Sequence, residues 1–366
     1  MVQFAPQVLK ARPYQAGKPI SELARELDLD ESKIIKLASN ENPLGMSPLA
    51  QQRAQQALSE SWLYPDPNGF ALKRTLAERY DVRPESITLG NGSNDILELV
   101  ASTVLGPGRS AVFSQYAFTV YAQATLRTGA EGIVVPAVGF GHDLRAMAAA
   151  IREDTTVIFV ANPNNPTGTY LSPAELEKFI QEVPERVLIV LDEAYNEYLS
   201  PENRYDSIAW VQSRPNILVT RTFSKAYGLA GLRVGYSVSS PEVSDYINRI
   251  RPAFNVSNVA QAAAIGALED DEFRERTYSV NQRGLAQLSK GFEDLSVPYV
   301  RSYGNFVLAQ FGQAAPQVNQ YLLKKGVIVR PVGNYGLADW LRISVGPPEQ
   351  NAVLLNLLDE ALAQHR

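Results

Sequence analysis

Lys225 stands in the run Thr222-Phe223-Ser224-Lys225-Ala226-Tyr227-Gly228, with Arg233 a little further on. A lysine amine condenses with an aldehyde to form a Schiff base when it is held in place and can lose its proton. Hydroxyls such as Thr222 and Ser224, with a fixed arginine, are what a nearby phosphate monoester needs. An aldehyde and a phosphate on one molecule describe pyridoxal 5'-phosphate. The other reactive residues can be weighed against that ligand.

Asp192 closes the apolar run Val187-Leu188-Ile189-Val190-Leu191 and precedes Glu193-Ala194-Tyr195. A carboxylate at the end of a buried strand can pair with a protonated pyridine nitrogen and keep the ring cationic. Taken alone, the same aspartate reads better as a helix cap. Tyr195 could donate to a ring oxygen. Asn165, in Asn162-Pro163-Asn164-Asn165-Pro166-Thr167-Gly168, sits in a segment whose prolines exclude helix. It reads as a plain loop residue or as a neutral donor to the phenolic oxygen. Gly90-Asn91-Gly92-Ser93-Asn94-Asp95 would bring backbone N–H groups and a helix N-terminus to an anion, although a structural turn would look the same. Asp95 stands where the dinucleotide fingerprint needs its third glycine, which disfavours NAD. Phe118 could stack on a planar ring or belong to the core. Arg342, among apolar neighbours in Leu341-Arg342-Ile343-Ser344, suits a bidentate carboxylate or an internal ion pair. Arg330 could hold a second anionic group.

The elements that must carry these residues follow from the pattern of apolar runs. The chain has 366 residues, 45% hydrophobic, enough for a large core and a second domain. Its net charge of −5 gives no support to a nucleic-acid partner. With no cysteine and only His142 and His365, thiolate and histidine metal sites and a Ser-His-Asp triad are disfavoured, and no metal is expected. The N-terminus lacks a signal-peptide pattern, and the apolar runs are too short to span a bilayer, so a cytoplasmic enzyme is expected. Strands are predicted at 86–89, 111–113, 132–135, 156–160, 187–191, 217–220 and 235–238. The continuous hydrophobicity of most of them suits a mostly parallel sheet of an α/β protein, covered on both faces. Ser172-Pro173-Ala174-Glu175 predicts a capping box, and Ser240-Pro241-Glu242 a second helix start. A long helical stretch over 258–288 precedes short strands at 305–310, 327–329 and 340–345, which suits a smaller α+β domain. Residues 1–38 then form an N-terminal segment packing on the small domain or on a partner chain, 39–250 the large domain and 251–366 the small one.

Taken together, Pro13-Tyr14-Gln15, Asn40-Glu41-Asn42-Pro43, Tyr64-Pro65, Asn164-Asn165-Pro166-Thr167-Gly168, Asp192-Glu193-Ala194-Tyr195, Ser224-Lys225 and Leu341-Arg342-Ile343-Ser344-Val345-Gly346 occur in the order seen in one family. Over almost its whole length the chain resembles the fold-type I pyridoxal-phosphate enzymes, and within them the histidinol-phosphate aminotransferases. The resemblance implies a seven-stranded, mostly parallel sheet and a homodimer. It makes Lys225 the Schiff-base lysine, Asp192 the partner of the pyridine nitrogen, and Asn165 and Tyr195 the partners of the phenolic oxygen. Gly92, Ser93, Asn94, Thr222, Ser224 and Arg233 would surround the phosphate, reached by Tyr64 from the other subunit, while Phe118 stacks on the ring. Arg342 would hold a carboxylate and Tyr14 and Arg330 a substrate phosphate, with Asn40 and Asn42 bordering the pocket. The implied reaction is ping-pong transfer of an amino group from histidinol phosphate to 2-oxoglutarate, giving imidazole acetol phosphate and glutamate. Aromatic aminotransferases and threonine-phosphate decarboxylases share these motifs. A non-catalytic regulator would need an added DNA-binding segment or a lost lysine, and the chain shows neither.

Overall fold

The computed structural model describes residues 2–11, 13 and 17–364. Tyr14 lies outside them. The seven predicted strands form one sheet in the order Ile87–Gly90, Gly235–Ser239, Ile217–Thr222, Leu188–Asp192, Thr155–Ala161, Ser110–Ser114, Glu131–Val135. Gly235–Ser239 runs antiparallel to both neighbours, and the other pairings are parallel. The continuous apolar runs resolve into two faces. Ile158 and Val160, Ile189 and Leu191, and Ile217 and Val219 pack into one core. Val157 and Phe159, Leu188 and Val190, and Leu218 pack into the other. A strand turns successive side chains to opposite faces, so a sheet sandwiched between helices needs apolar residues at every position.

The helices begin where capping chemistry predicts. Ser172 accepts from the Glu175 N–H, and the Glu175 carboxylate accepts from the Ser172 N–H at 2.8 Å, completing the capping box. Ser240 caps Pro241–Ile250. The stretch read as one helix over 258–288 is two, Asn258–Glu269 and Asp271–Asp294. Asp270 separates them because its carboxylate accepts from the Phe273 N–H and starts the second helix. The first of the pair lies within the range 251–366 expected for the small domain, yet its Ala260, Ala263, Ala264, Ala267 and Leu268 pack in the large sheet's core.

Beyond it, an antiparallel four-stranded sheet runs Arg330–Val332, Leu337–Ser344, Phe306–Gln310, Tyr299–Val300. Its core holds Leu288, Val307, Ile343 and Leu354. The N-terminal segment joins this part of the molecule: Ile35–Lys36 pairs in parallel with Val327–Ile328, and Leu23, Ala24 and Ala38 pack with Ile328. Among the described residues no helix is long and apolar enough to cross a membrane.

Candidate active site

The carboxyl ends of the parallel strands open onto a cavity of about 230 Å³, whose remaining wall comes from the small sheet and from residues 38–41. Open α/β sheets bind ligands at this edge because the loops leaving the strands converge there. The strand Ile217–Thr222 ends in a tight turn. The Ser224 N–H donates to Thr222 Oγ1 at 3.1 Å, and the Gly228 N–H donates to the Lys225 carbonyl at 3.0 Å. The turn lifts Lys225 into the cavity, where Nζ donates to the Ser39 carbonyl at 3.0 Å. Burial, and then the nearby positive charge of Arg342, push this amine down to about 7.

Asp192 ends the adjacent strand and is 5% exposed. Its Oδ2 accepts a hydrogen bond from the Tyr121 hydroxyl at 2.7 Å. Its Oδ1, also buried, has no hydrogen-bond partner among the described residues. Burial pushes the carboxyl up to about 6, against the opposing pull of the Tyr121 bond. Tyr195 accepts from Asn40 Nδ2 at 2.9 Å, and burial raises its phenol to about 12, so it remains a neutral donor. Asn40 is itself clamped to the small sheet: its N–H donates to Ser344 Oγ at 2.8 Å, and Asn305 Nδ2 donates to its carbonyl at 2.9 Å.

One end of the cavity suits an anion. Gly92 caps the helix Ser93–Val104, and Ser93, Asn94, Thr222, Ser224 and Arg233 line the wall there. Arg233 Nη1 donates to Ser224 Oγ at 3.2 Å. Gly92 has φ +81°, and a Cβ on it would stand 2.3 Å from Arg233 Nη2, so only glycine fits between the helix start and the guanidinium. At another wall Arg330 and Arg342 face each other directly across neighbouring strands, both buried. Arg342 Nη1 donates to Asn165 Oδ1 and Nη2 to the Ala38 carbonyl at 2.8 Å.

The structure thus brings together Lys225, Asp192, Tyr195, Ser93, Asn94, Phe118, Asn165, Thr222, Ser224, Arg233, Asn40, Arg330 and Arg342 around one cavity. Among the described residues, Asn42 and Tyr64 stand apart from it within the chain. Asn42 lies behind the wall, its Nδ2 donating to the Ala226 carbonyl at 2.8 Å and to Thr277 Oγ1 at 3.1 Å. It braces the turn that carries Lys225. Tyr64 is 82% exposed and stacks on Phe254 with ring centres 4.6 Å apart. Residues that the sequence reading missed include Ser39, Glu41 and Tyr335 in the wall and Tyr121 behind it. Tyr121 follows Phe118 by one helical turn, but nothing local in the sequence points it at Asp192.

The donor set fits pyridoxal 5'-phosphate. The helix N-terminus with Ser224 and Arg233 suits a phosphate, the Lys225 amine an aldehyde, and the unpartnered buried oxygen of Asp192 a protonated ring nitrogen.

Residues 32–358 match the family model for aminotransferases of class I and II. Histidinol-phosphate aminotransferase 1 of Thiobacillus denitrificans is 58% identical over 358 residues, covering 98% of this chain and 93% of that protein. Histidinol-phosphate aminotransferase 1 of Cupriavidus pinatubonensis is 55% identical over 365 residues, covering 99% and 97%. Among solved structures, the histidinol-phosphate aminotransferase of Sinorhizobium meliloti in complex with pyridoxal-5'-phosphate superposes with a TM-score of 0.90 at 28% identity, covering 100% of this chain and 99% of that one.

Proposed function

We propose that this chain, which belongs to the family of class I and II aminotransferases, moves the amino group of histidinol phosphate to 2-oxoglutarate with pyridoxal 5'-phosphate as cofactor. The observation that carries the reading is the shared cavity of Lys225 and Asp192, an amine pushed down to about 7 opposite a buried carboxylate with one unpartnered oxygen. Relatives bearing that activity in their names match 52–58% of residues over nearly the whole chain.

When bound, the cofactor supplies an aldehyde for the amine and a cationic ring that draws electrons from the bond being broken. Burial lowers the Lys225 amine to about 7, so Nζ gives up its proton far more readily than an ordinary lysine and can take a proton from the substrate carbon and return it. Asp192 presents Oδ1 to the ring nitrogen. Tyr195 and Asn165 serve the phenolic oxygen as neutral donors. Asn165 has its carbonyl taken by Arg342, which leaves its amide hydrogens for that role. Gly92, Ser93, Asn94, Thr222, Ser224 and Arg233 hold the phosphate, and Phe118 covers the ring.

The substrates alternate in one place. Histidinol phosphate brings a phosphate and glutamate brings carboxylates. Arg330 and Arg342, neighbours across two strands, put two positive charges where either anion must sit. Arg342 is assigned to the carboxylate, and Arg330, with Tyr14, to the substrate phosphate. Asn40 borders the same pocket. The chain is proposed to act in the cytoplasm as a homodimer in which Tyr64 reaches the partner's phosphate site. Trp62, Leu63, Tyr64 and Phe254 are all exposed on the isolated chain, an apolar surface suited to a second copy.

A half-reaction screen tests the proposal. The pyridoxal-phosphate form is mixed separately with histidinol phosphate, phenylalanine, tyrosine and threonine phosphate, and the cofactor spectrum is followed. Histidinol phosphate is expected to convert the cofactor fastest, and 2-oxoglutarate to restore it. Equal or faster conversion by phenylalanine would transfer the assignment to an aromatic aminotransferase. Carbon dioxide release without a 2-oxo acid would make the chain a decarboxylase.

A further inference from the structure

Asp192 and Tyr121 are 71 residues apart in sequence, and a 2.7 Å hydrogen bond joins them in the buried floor of the site. Tyr121 lies in the first turn of the helix Thr119–Arg127, where its side chain is fully enclosed. Its ring is held on two sides. It stacks on Phe159 with centroids 4.8 Å apart and planes 6° from parallel, and it meets the edge of Phe118 at 6.0 Å and 90°. Phe159 belongs to the strand next to that of Asp192. The hydroxyl therefore has a fixed position, and burial keeps its proton on, with a pKa well above the ordinary phenol range. It is a permanent donor.

An aspartate that serves a ring nitrogen must be charged, and one oxygen must be available to the ligand. The surroundings of Asp192 oppose the first condition, since burial disfavours a carboxylate. The Ala194 backbone N–H favours the charged form, less strongly than Tyr121 does, and the side chains facing Asp192 from the neighbouring elements add little. Glu193, next in the chain, carries the same charge and is paired with Arg221. His142 Nε2 lies 3.0 Å from the carbonyl of Ala161, the cross-strand partner of Asp192, and burial lowers the imidazole to about 4, so it is neutral. Tyr195 and Tyr335 are phenols, and Lys225 and Arg342 line the same cavity. Of all effects favouring the charged form of Asp192, the Tyr121 hydrogen bond is the largest.

We infer that Tyr121 is the positioning residue for Asp192: its hydroxyl locks Oδ2, holds the charge on the carboxylate, and leaves Oδ1 for the ring nitrogen of the cofactor. The inference rests on the pyridoxal-phosphate reading given above. Because the same tyrosine also touches Phe118, one side chain braces both the group that would serve the ring nitrogen and the aromatic group proposed to cover the ring. Tyr121 itself does not line the cavity.

The test is a double-mutant cycle read by cofactor affinity. Apo forms of the wild-type chain, Tyr121→Phe, Asp192→Asn and the double variant are titrated with pyridoxal 5'-phosphate by equilibrium dialysis, and their folding is compared by thermal melting. Phenylalanine keeps the ring and its stacking. Loss of a hydrogen bond to a charged group predicts roughly tenfold or more weaker binding for Tyr121→Phe in the native background. With Asp192→Asn in place, the same change is expected to cost less than about twofold, because the partner it acts through has lost its charge. Equal losses in both backgrounds, or none in the native one, overturn the inference. A wild-type chain that does not take up the cofactor removes the parent reading as well, a distinct outcome. Should Tyr121→Phe not fold, 3-fluorotyrosine at position 121 supplies a stronger donor. Binding must then tighten beside Asp192 and stay unchanged beside asparagine, and an unchanged affinity beside Asp192 overturns the inference.

Discussion

Where the large sheet faces the cavity it presents one amine, one carboxylate, a set of neutral donors and, at the end suited to a phosphate, the single arginine Arg233, whereas the small sheet presents two arginines side by side. The first wall is assembled from the ends of parallel strands and a helix N-terminus, so its groups come from Gly92, Phe118, Asn165, Asp192 and Lys225, far apart in sequence. The second comes from one antiparallel register, Arg330 opposite Arg342. Asn40 ties the two walls together, bonded to Tyr195 on one side and to Ser344 and Asn305 on the other. The contrast teaches a division of labour. The large sheet offers chemistry suited to any amino donor, and the small sheet offers charge that chooses among donors.

That division can be broken at its strongest point first. Lys225→Ala should remove turnover with every substrate, by about 10⁴-fold or more, since both the anchoring amine and the proton carrier are gone. Steady-state assays with histidinol phosphate and with glutamate must show the loss equally. A variant that still turned over one of them well would move the general chemistry elsewhere.

The small sheet is expected to separate the substrates. Arg342→Ala should lower kcat/KM for both by about 10²–10³-fold, the usual loss when one partner of a desolvated charge pair is removed. Arg330→Ala should cost a similar factor with histidinol phosphate but less than about fivefold with glutamate, since only the former brings a phosphate. Equal losses for both substrates in Arg330→Ala would merge the two arginines into one role.

The smallest effect probes coupling between the walls. A lysine amine attacks an aldehyde only when neutral. With its pKa pushed down to about 7, Lys225 loses its proton as pH rises through neutrality, whereas an ordinary lysine keeps it until above pH 10. Capture of pyridoxal 5'-phosphate by the apo chain, followed by absorbance in a stopped-flow instrument, should therefore rise roughly tenfold between about pH 6 and about pH 8, then level off. Arg342→Ala removes a like charge and should move the midpoint upward. A midpoint unmoved by that change would leave burial and the cations Arg233 and Lys36 as the causes, and would make Arg342 electrically independent of Lys225.

Much of this architecture was legible from residue patterns. The seven strands of the large sheet were legible because most carry a dense apolar run, and the helix starts at Ser172 and Ser240 because capping is local chemistry. The break at Asp270 was missed, although the acidic run Glu269-Asp270-Asp271-Glu272 carried the capping signal, because the apolar pattern continues on both sides. Asn42 was read into the pocket on resemblance, while its amide is engaged by Ala226 and Thr277, which lie far along the chain. Tyr121 escaped notice because an aromatic residue on a helix face looks like core until its hydroxyl is given a partner.

The amino-acid order by itself determined the kinds of chemistry present: an amine among hydroxyls, a carboxylate after an apolar run, glycines before a helix, and arginines among aliphatic residues. These depend on neighbours within a turn or a strand, and their physics is short-range. Packing decided which oxygen of Asp192 is engaged and which remains, how far the Lys225 amine is lowered, and that Arg330 faces Arg342. Each of those depends on desolvation and on register between segments brought together from distant parts of the chain, and neither exists until the sheets have closed around the cavity.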